Sequence, residues 1–338
     1  MLFGLDLTHR LEFLEGKDDF LSRLNSLVDW EWFRDILEEG KKKSNVGRPA
    51  YDVILMFKLL VLQSLYNLSD EQVEYQANDR LSFHAFLNIT VFDKVPDATT
   101  IWLFREWLTK KELVKVLFDK LDEMLVKSGY IARGGQIIDA TFVPVPIQRN
   151  TKEENEKLKE GEVPEEWTEN GKKLSQKDLE ARWTKKNDES HYGYKNHVSI
   201  DVENKLIRNY EVTDASVHDS QVLGKVISEN VDPEIWADSA YYSKWIEWVL
   251  LMLKFVSNIH EKGYRNKPLT EEQKEKNKER SKVRSRVEHI FAHLEQMGEL
   301  YGRGIGLKRI KTYVGLKNLA YNLKRFVFLS KSSETATT

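Results

Sequence analysis

Gln136-Ile-Ile-Asp139-Ala-Thr-Phe-Val-Pro-Val145 follows directly on Gly134-Gly135 and is dense in β-branched and aromatic residues, the composition of a strand entered through a turn. Upstream of it the pattern is helical, with apolar residues at three- and four-residue spacing. Ser69 and Gln72 form a capping box before Val73, and Val95-Pro-Asp97-Ala-Thr-Thr100 is a helix entry that leads into Ile101, Phe104, Trp107 and Leu108 on one face. A break falls between Lys41-Lys-Lys43 and Gly47-Arg-Pro49, after an acidic amino-terminal piece. Downstream, residues 150–190 are polar with little periodicity and read as a surface insertion containing some helix. Tyr192–Val202 and Leu206–Thr213 flank the turn Glu203-Asn-Lys205 as a hairpin, with Val198, Ile200 and Val202 on one face. A helix from about Asp219, a strand at Ile235–Asp238, a helix rich in Trp and Leu, a strand at Lys254–Ile259 and long helices complete the chain.

Three strands followed by alternating helices and strands predict an α/β fold, a mixed five-stranded sheet flanked by helices. The boundaries follow: an all-helical domain over 1–130, a sheet domain over 131–328 with its insertion at 150–190, and a disordered tail over 329–338. The nine Trp residues are expected mostly in the core.

With 41% hydrophobic and 31% charged residues the composition is globular. The best apolar run, Val53–Val61, is short and carries Lys58, and the acidic start Met1–Asp18 does not read as a secretory signal, so a cytoplasmic protein without a membrane partner is expected. The chain has no cysteine, which excludes disulfides and thiolate metal sites and leaves carboxylates and histidines for any metal chemistry. Carboxylates favour hard ions such as Mg²⁺. A net charge of −2 conceals an uneven distribution: Lys262–Arg325 holds 17 Lys and Arg against 7 Asp and Glu. Such a stretch can neutralise phosphates, or can simply be a solvated helix face.

Asp139 lies inside an apolar strand, where a lone carboxylate is costly to bury and needs a partner or a metal. Asp238 ends the run Ile235-Trp-Ala-Asp238 in the same setting, and carboxylates at the ends of adjacent strands can converge on one ion. Glu288 sits beside the apolar stripe Val287, Ile290 and Phe291 of a helix that runs through Arg284 and can lean toward those strands. Among 54 acidic residues, spacing alone does not single out these three.

Local sequence does. Arg48-Pro-Ala-Tyr-Asp52, Asn67-Leu-Ser-Asp70 and Val95-Pro-Asp-Ala-Thr-Thr-Ile101 come first. Ile138-Asp139-Ala-Thr141, Tyr192-Gly-Tyr-Lys-Asn-His197 and Val217-His-Asp-Ser220 follow, then Ala237-Asp238-Ser-Ala-Tyr241, Arg284-Ser-Arg-Val-Glu288 and Gly315-Leu-Lys-Asn318. In this order they resemble the DDE transposases of bacterial insertion sequences, most closely the insertion sequence 5 group, over about residues 45–328. The resemblance implies a ribonuclease H-like catalytic domain behind a helical domain that binds DNA ends and pairs subunits. It also implies a catalytic and metal-binding triad of Asp139, Asp238 and Glu288. The chemistry it implies is two-metal phosphoryl transfer with two Mg²⁺ ions, Mn²⁺ substituting, which cuts DNA at terminal inverted repeats and joins the freed 3′-hydroxyl to target DNA. A homodimer in the synaptic complex is implied as well. Where relatives carry a tyrosine and a lysine, this chain has Ser281 and Glu295, and Ser239-Ala240 stands where many have lysine and glycine.

Arg284, Lys195, His197, Arg182 and Trp183 are candidate DNA contacts, each set against an ordinary structural role. His218 before Asp219-Ser220 reads as a helix entry in which Asp219 or Ser220 is the cap. Two further readings stay open: a domesticated relative that binds DNA without cutting it, and a stand-alone metal-dependent nuclease.

Overall fold

The computed structural model describes residues 19–39, 50–147, 150–186, 188–264, 266–298, 300–302 and 304–337. The acidic start Met1–Asp18 and the break at Lys41–Pro49, including Arg48-Pro49 of the family motif, lie outside the described residues. The chain forms two compact units: residues to Tyr130 with Gln296–Gly298 and Gly315–Thr338, and Ile131–Glu295 with Glu299–Val314.

The first unit contains helices α1 (Phe20–Leu27), α2 (Arg34–Glu38), α3 (Val53–Tyr66), α4 (Asp70–Asp79), α5 (Leu81–Leu87), α6 (Ala98–Lys111) and α7 (Leu113–Lys127). Their starts follow from side-chain caps. Asp52 accepts from the Ile54 and Leu55 amides, Ser69 and Gln72 close the expected capping box, and Asp97 accepts from Thr100. Helix α3 is buried nearly all round, and its Lys58 is only 2% exposed. That ammonium is satisfied by Asn25 Oδ1 at 2.7 Å and the Phe86 carbonyl at 2.9 Å, and burial pushes its pKa down to about 8.

The second unit holds β1 (Gln136–Pro144), α8 (Lys152–Lys159), α9 (Glu165–Glu169), α10 (Gly171–Ser175), β2 (Arg182–Lys186), β3 (Glu189–Asp201), β4 (Ile207–Asp214), α11 (Leu223–Val226), β5 (Glu234–Ala237), α12 (Lys244–Met252), β6 (Val256–Ile259), α13 (Glu271–Arg284) and α14 (Arg286–Gln296). The last helix, α15, runs over Leu307–Thr337, and its stretch from Gly315 on belongs to the first unit. Its backbone is therefore helical through Thr337, within the stretch 329–338 where a disordered tail was expected.

The sheet has six strands, not five, in the order β2-β3-β1-β5-β6, with β4 also pairing β3. β1, β3 and β4 are antiparallel, whereas β5 and β6 run parallel to β1. This is the ribonuclease H-like order. The extra strand, β2, lies in the polar insertion, where exposed Lys185 and Lys186 hide the alternation that marks a half-buried strand. β3 is buried at every position from Tyr192 to Asp201, so polar residues such as Asn196 and Ser199 stand inside as well as Val198 and Ile200. Its turn into β4 is held by the buried Asp201 carboxylate, which accepts from Arg208 Nε at 2.8 Å and the Asn204 amide. On one side of the sheet Ile138, Ile235, Ala237 and Ile259 pack with Val222, Tyr241, Ile246 and Leu250.

Candidate active site

The site begins with β1 and β5 lying side by side in parallel, Ile138 opposite Ala237. Asp139 and Asp238 each follow one of these paired residues, so register alone brings both carboxylates to the same level of the sheet. Asp238 also caps the 3-10 turn Ser239–Tyr241, accepting from the Ala240 amide at 2.8 Å and Ser239 Oγ at 3.2 Å. Asp139 accepts from its neighbour's amide, Ala140, at 2.8 Å.

Arg284, the last residue of α13, reaches both: its Nη1 is 3.2 Å from Asp139 Oδ2 and 3.9 Å from Asp238 Oδ2. The Arg284 Nε is buried without a hydrogen-bond partner among the described residues. Burial pushes the Asp139 carboxyl up to about 6, against the pull of the Ala140 amide and Arg284 and with the added push of the Asp238 charge. Burial acts the same way on Asp238, but the Ala240 amide, Arg284 and Ser239 outweigh it and hold that carboxyl below its usual range. One half-buried pair is thus split into a reluctant and a ready carboxylate.

Tyr241 completes the floor. Its hydroxyl is buried without a hydrogen-bond partner among the described residues. Burial and the charges of Asp139, Asp219 and Asp238 push it well above its usual range, which leaves it a neutral donor. Ser281, in place of the relatives' tyrosine, donates to the Asn277 carbonyl at 2.9 Å and stands 3.4 Å from His260 Nε2.

Glu288 is not brought to this pair. The helix expected to carry Arg284 and Glu288 together is interrupted at Ser285, so Glu288 lies in the first turn of α14, exposed, with no side-chain hydrogen bond or ion pair among the described residues. Accordingly, no group of three His, Cys, Asp or Glu stands ready to hold a metal ion among the described residues. Asp139 and Asp238 fit a hard divalent ion by donor type and position; the third carboxylate does not in this conformation.

Two expected DNA contacts are turned inward. Lys195 donates to Asp219 Oδ1 and to the Val217 carbonyl, both at 2.9 Å, and His197 is fully buried with Nε2 3.0 Å from Thr213 Oγ1. Burial pushes His197 down to about 4, so it is neutral and closed to a phosphate. Asp219 is therefore an internal counter-ion, and His218 caps the 3-10 turn Asp219–Gln221 in its place. The inward turn has a plain cause: β3 is covered on both faces, so no side chain in its centre reaches solvent.

The hairpin arm of β2 and the start of β3 carries the expected Arg182 and Trp183 together with Lys186, which was not among the expected contacts. Gly193 has φ +141°, and a Cβ there would lie 2.4 Å from the Val143 carbonyl. The arm bends at this point, because His191 stacks on Phe142 with centroids 4.1 Å apart, whereas a straight strand would separate it from Phe142's partner Lys195 by about 13 Å. The fold-back carries Lys186 close enough for its charge to lower both Asp139 and Asp238. Trp183 on the same arm is 44% exposed, tilted against Tyr192 at 5.0 Å, beside a cleft of about 480 Å³ that Leu158, Lys159 and Ser216 also line. Arg182 is occupied by the carbonyls of Leu179, Ala181 and Leu158. For Lys186 the signal in the sequence is the pair Lys185-Lys186 at the end of a polar segment.

A ribonuclease H-like sheet with two aspartates at the level where adjacent parallel strands meet defines the class of domain. The family described as transposase DDE domain matches residues 132–323, more than half the chain, and the one described as transposase domain (DUF772) matches residues 9–107. The chain belongs to the DDE transposases, enzymes that cleave DNA and transfer its strands and that generally use divalent metal ions. Among solved structures, a piggyBac transposase synaptic complex with hairpin DNA is similar at 13% identity and a TM-score of 0.47, over 96% of this chain and 77% of that one.

Proposed function

We propose that this transposase cuts DNA at the terminal inverted repeats of its own element and joins the freed ends to target DNA, with Asp139, Asp238 and Glu288 as its catalytic carboxylates. The single observation that carries the reading is the convergence of Asp139 and Asp238, two partly desolvated carboxylates on one counter-charge, Arg284. Two Mg²⁺ ions, with Mn²⁺ as substitute, held by these carboxylates would supply Lewis-acid chemistry for an attacking hydroxyl and a leaving oxygen at phosphorus. Asp238 is the more readily ionised ligand, Asp139 becomes an ionised ligand only as pH rises through about 6, and Glu288 joins by a turn of the chain at Ser285. Once the carboxylates hold other cations, Arg284 is free to meet a phosphate. Lys186 and Trp183 suit the flanking DNA, one as a phosphate partner and the other as a stacking surface, with Arg182 holding the arm in shape. The helical domain takes the element's ends, two copies act together, and the work is done on the nucleoid in the cytoplasm.

The test is cleavage and strand transfer on labelled DNA bearing the element's ends, with Mg²⁺, for wild type, Asp139→Asn, Asp238→Asn and Glu288→Gln. Each variant should bind the ends and fail to cut, a loss of at least about 1,000-fold. The exposed position of Glu288 favours one alternative, a relative that binds DNA without cutting it. Wild type that binds ends but stays inert with Mg²⁺ and Mn²⁺ would establish that reading instead.

A further inference from the structure

Helix α12 has the composition of a buried helix and the exposure of a surface one. Of Lys244-Trp-Ile-Glu-Trp-Val-Leu-Leu-Met252 only Lys244 and Glu247 are polar, and Glu247 is occupied, accepting from Ser257 Oγ at 2.8 Å. Ile246 and Leu250 face the core beneath. The opposite side leaves Trp245 68%, Trp248 50%, Leu251 71% and Met252 63% exposed, and the apolar surface continues through Leu253 and Val256. The two indoles already lie against each other, centroids 5.0 Å apart and planes at 26°. A soluble surface rarely keeps so many large side chains in one place, and such patches mark contact sites.

We infer that this face is the contact between two copies of the chain, an isologous interface in which α12 of one copy packs on α12 of the other. Area is the first argument. At these exposures the six side chains present roughly 700 Å² of apolar surface, close to the ~800 Å² per partner of a standard stable interface. Composition is the second: Trp and Met populate interface centres, and the exposed charges near the face, Lys244 and Lys254, stand at and just beyond the two ends of the helix rather than among its exposed Trp, Leu and Met side chains. The third is continuity. β6 follows α12 and ends the sheet, so its outer edge lies beside the apolar face and can be extended by the same strand of a second copy. The inference gives the paired action proposed above a surface, and it uses neither the carboxylates nor DNA.

Sedimentation of the full chain without DNA or metal tests it. Wild type should form a reversible dimer at about 10 µM, and Trp245→Glu with Trp248→Glu should weaken it at least about 100-fold. Trp102→Glu, an exposed indole elsewhere, should leave it unchanged. Because the chain has no cysteine, Leu251→Cys offers a second route that keeps the face apolar: mild oxidation should give a covalent dimer, which forms only if the same face meets itself. A wild type monomeric to about 100 µM, a double variant that still dimerises, or the absence of a Leu251→Cys dimer each overturns the proposal. Wild type that cuts element ends while giving one of those results would sink this interface and leave the proposed function standing.

Discussion

Asp139 is held at a cost in stability. Its carboxyl rises to about 6 in the folded chain from an ordinary 3.8, so between those values the folded state binds a proton that the unfolded state does not. Stability contributed by that proton is complete at low pH and is lost as pH climbs through 6, up to a ceiling of ~3 kcal/mol. Asp139→Asn should therefore be more stable than wild type in EDTA at pH 7.5, by about 1–3 kcal/mol, with a flatter profile between pH 4 and 6. Chemical denaturation across that range decides it, and an Asn variant no more stable than wild type at pH 7.5 would contradict the assignment. Arg284 is the converse case, since removing it leaves two carboxylates facing one another. Arg284→Gln should lose about 1–3 kcal/mol in EDTA. Added Mg²⁺ should raise its melting temperature more than it raises that of wild type, because no internal cation competes; equal rises in both would argue against Arg284 as the resident counter-charge.

Among the elements, the bent β2–β3 arm links backbone geometry to chemistry. Only glycine tolerates φ +141° with the Val143 carbonyl at the place of its Cβ, and the resulting bend is what carries Lys186 toward the aspartates. Gly193→Ala should cost about 2–4 kcal/mol and reduce DNA cleavage even where the protein is still folded, as the arm straightens. Urea denaturation together with cleavage at a temperature well below melting separates the two effects; an alanine variant that keeps full stability would show that the bend is not enforced here. The interruption at Ser285 is the second element-scale device, because it puts Arg284 and Glu288 on two separate helices, α13 and α14.

For the whole molecule, the boundary at 130 is not where the helical unit ends. Gly315–Thr338 belongs to it, with Leu316, Leu319, Ala320, Leu323, Phe326 and Val327 buried and the Phe326 ring packed edge-on against Tyr130. Each buried leucine or phenylalanine is worth ~1.5–3 kcal/mol, so a fragment of residues 1–130 should be unfolded or aggregated. Fusing residues 313–332 to it through a flexible linker should restore a cooperative melt by circular dichroism. A fragment that melts cooperatively by itself would show that the carboxy-terminal helix adds nothing to this unit. Tryptophan placement also departs from expectation: of the nine, Trp30 and Trp167 are buried, while Trp102, Trp183, Trp245 and Trp248 are exposed.

What the sequence by itself determined was local or patterned. The caps at Ser69 and Asp97, the strand through Asp139, the hairpin about Glu203–Lys205 and the alternation that makes the sheet mixed all depend on neighbours within a few residues, where propensity and periodicity act. That Asp139 and Asp238 could approach one another was legible too, since one lies inside an apolar strand and the other ends a second apolar run, and the two strands pair in parallel. Tertiary structure decided the rest. The inward turn of Lys195 and His197, Arg284 as the shared counter-charge, the exposure of Glu288 and the apolar face of α12 each depend on which side of an element is covered by a chain segment far away in sequence. Burial, not residue type, sets whether a charge meets solvent, a partner or another copy, and burial is a property of the packed chain alone.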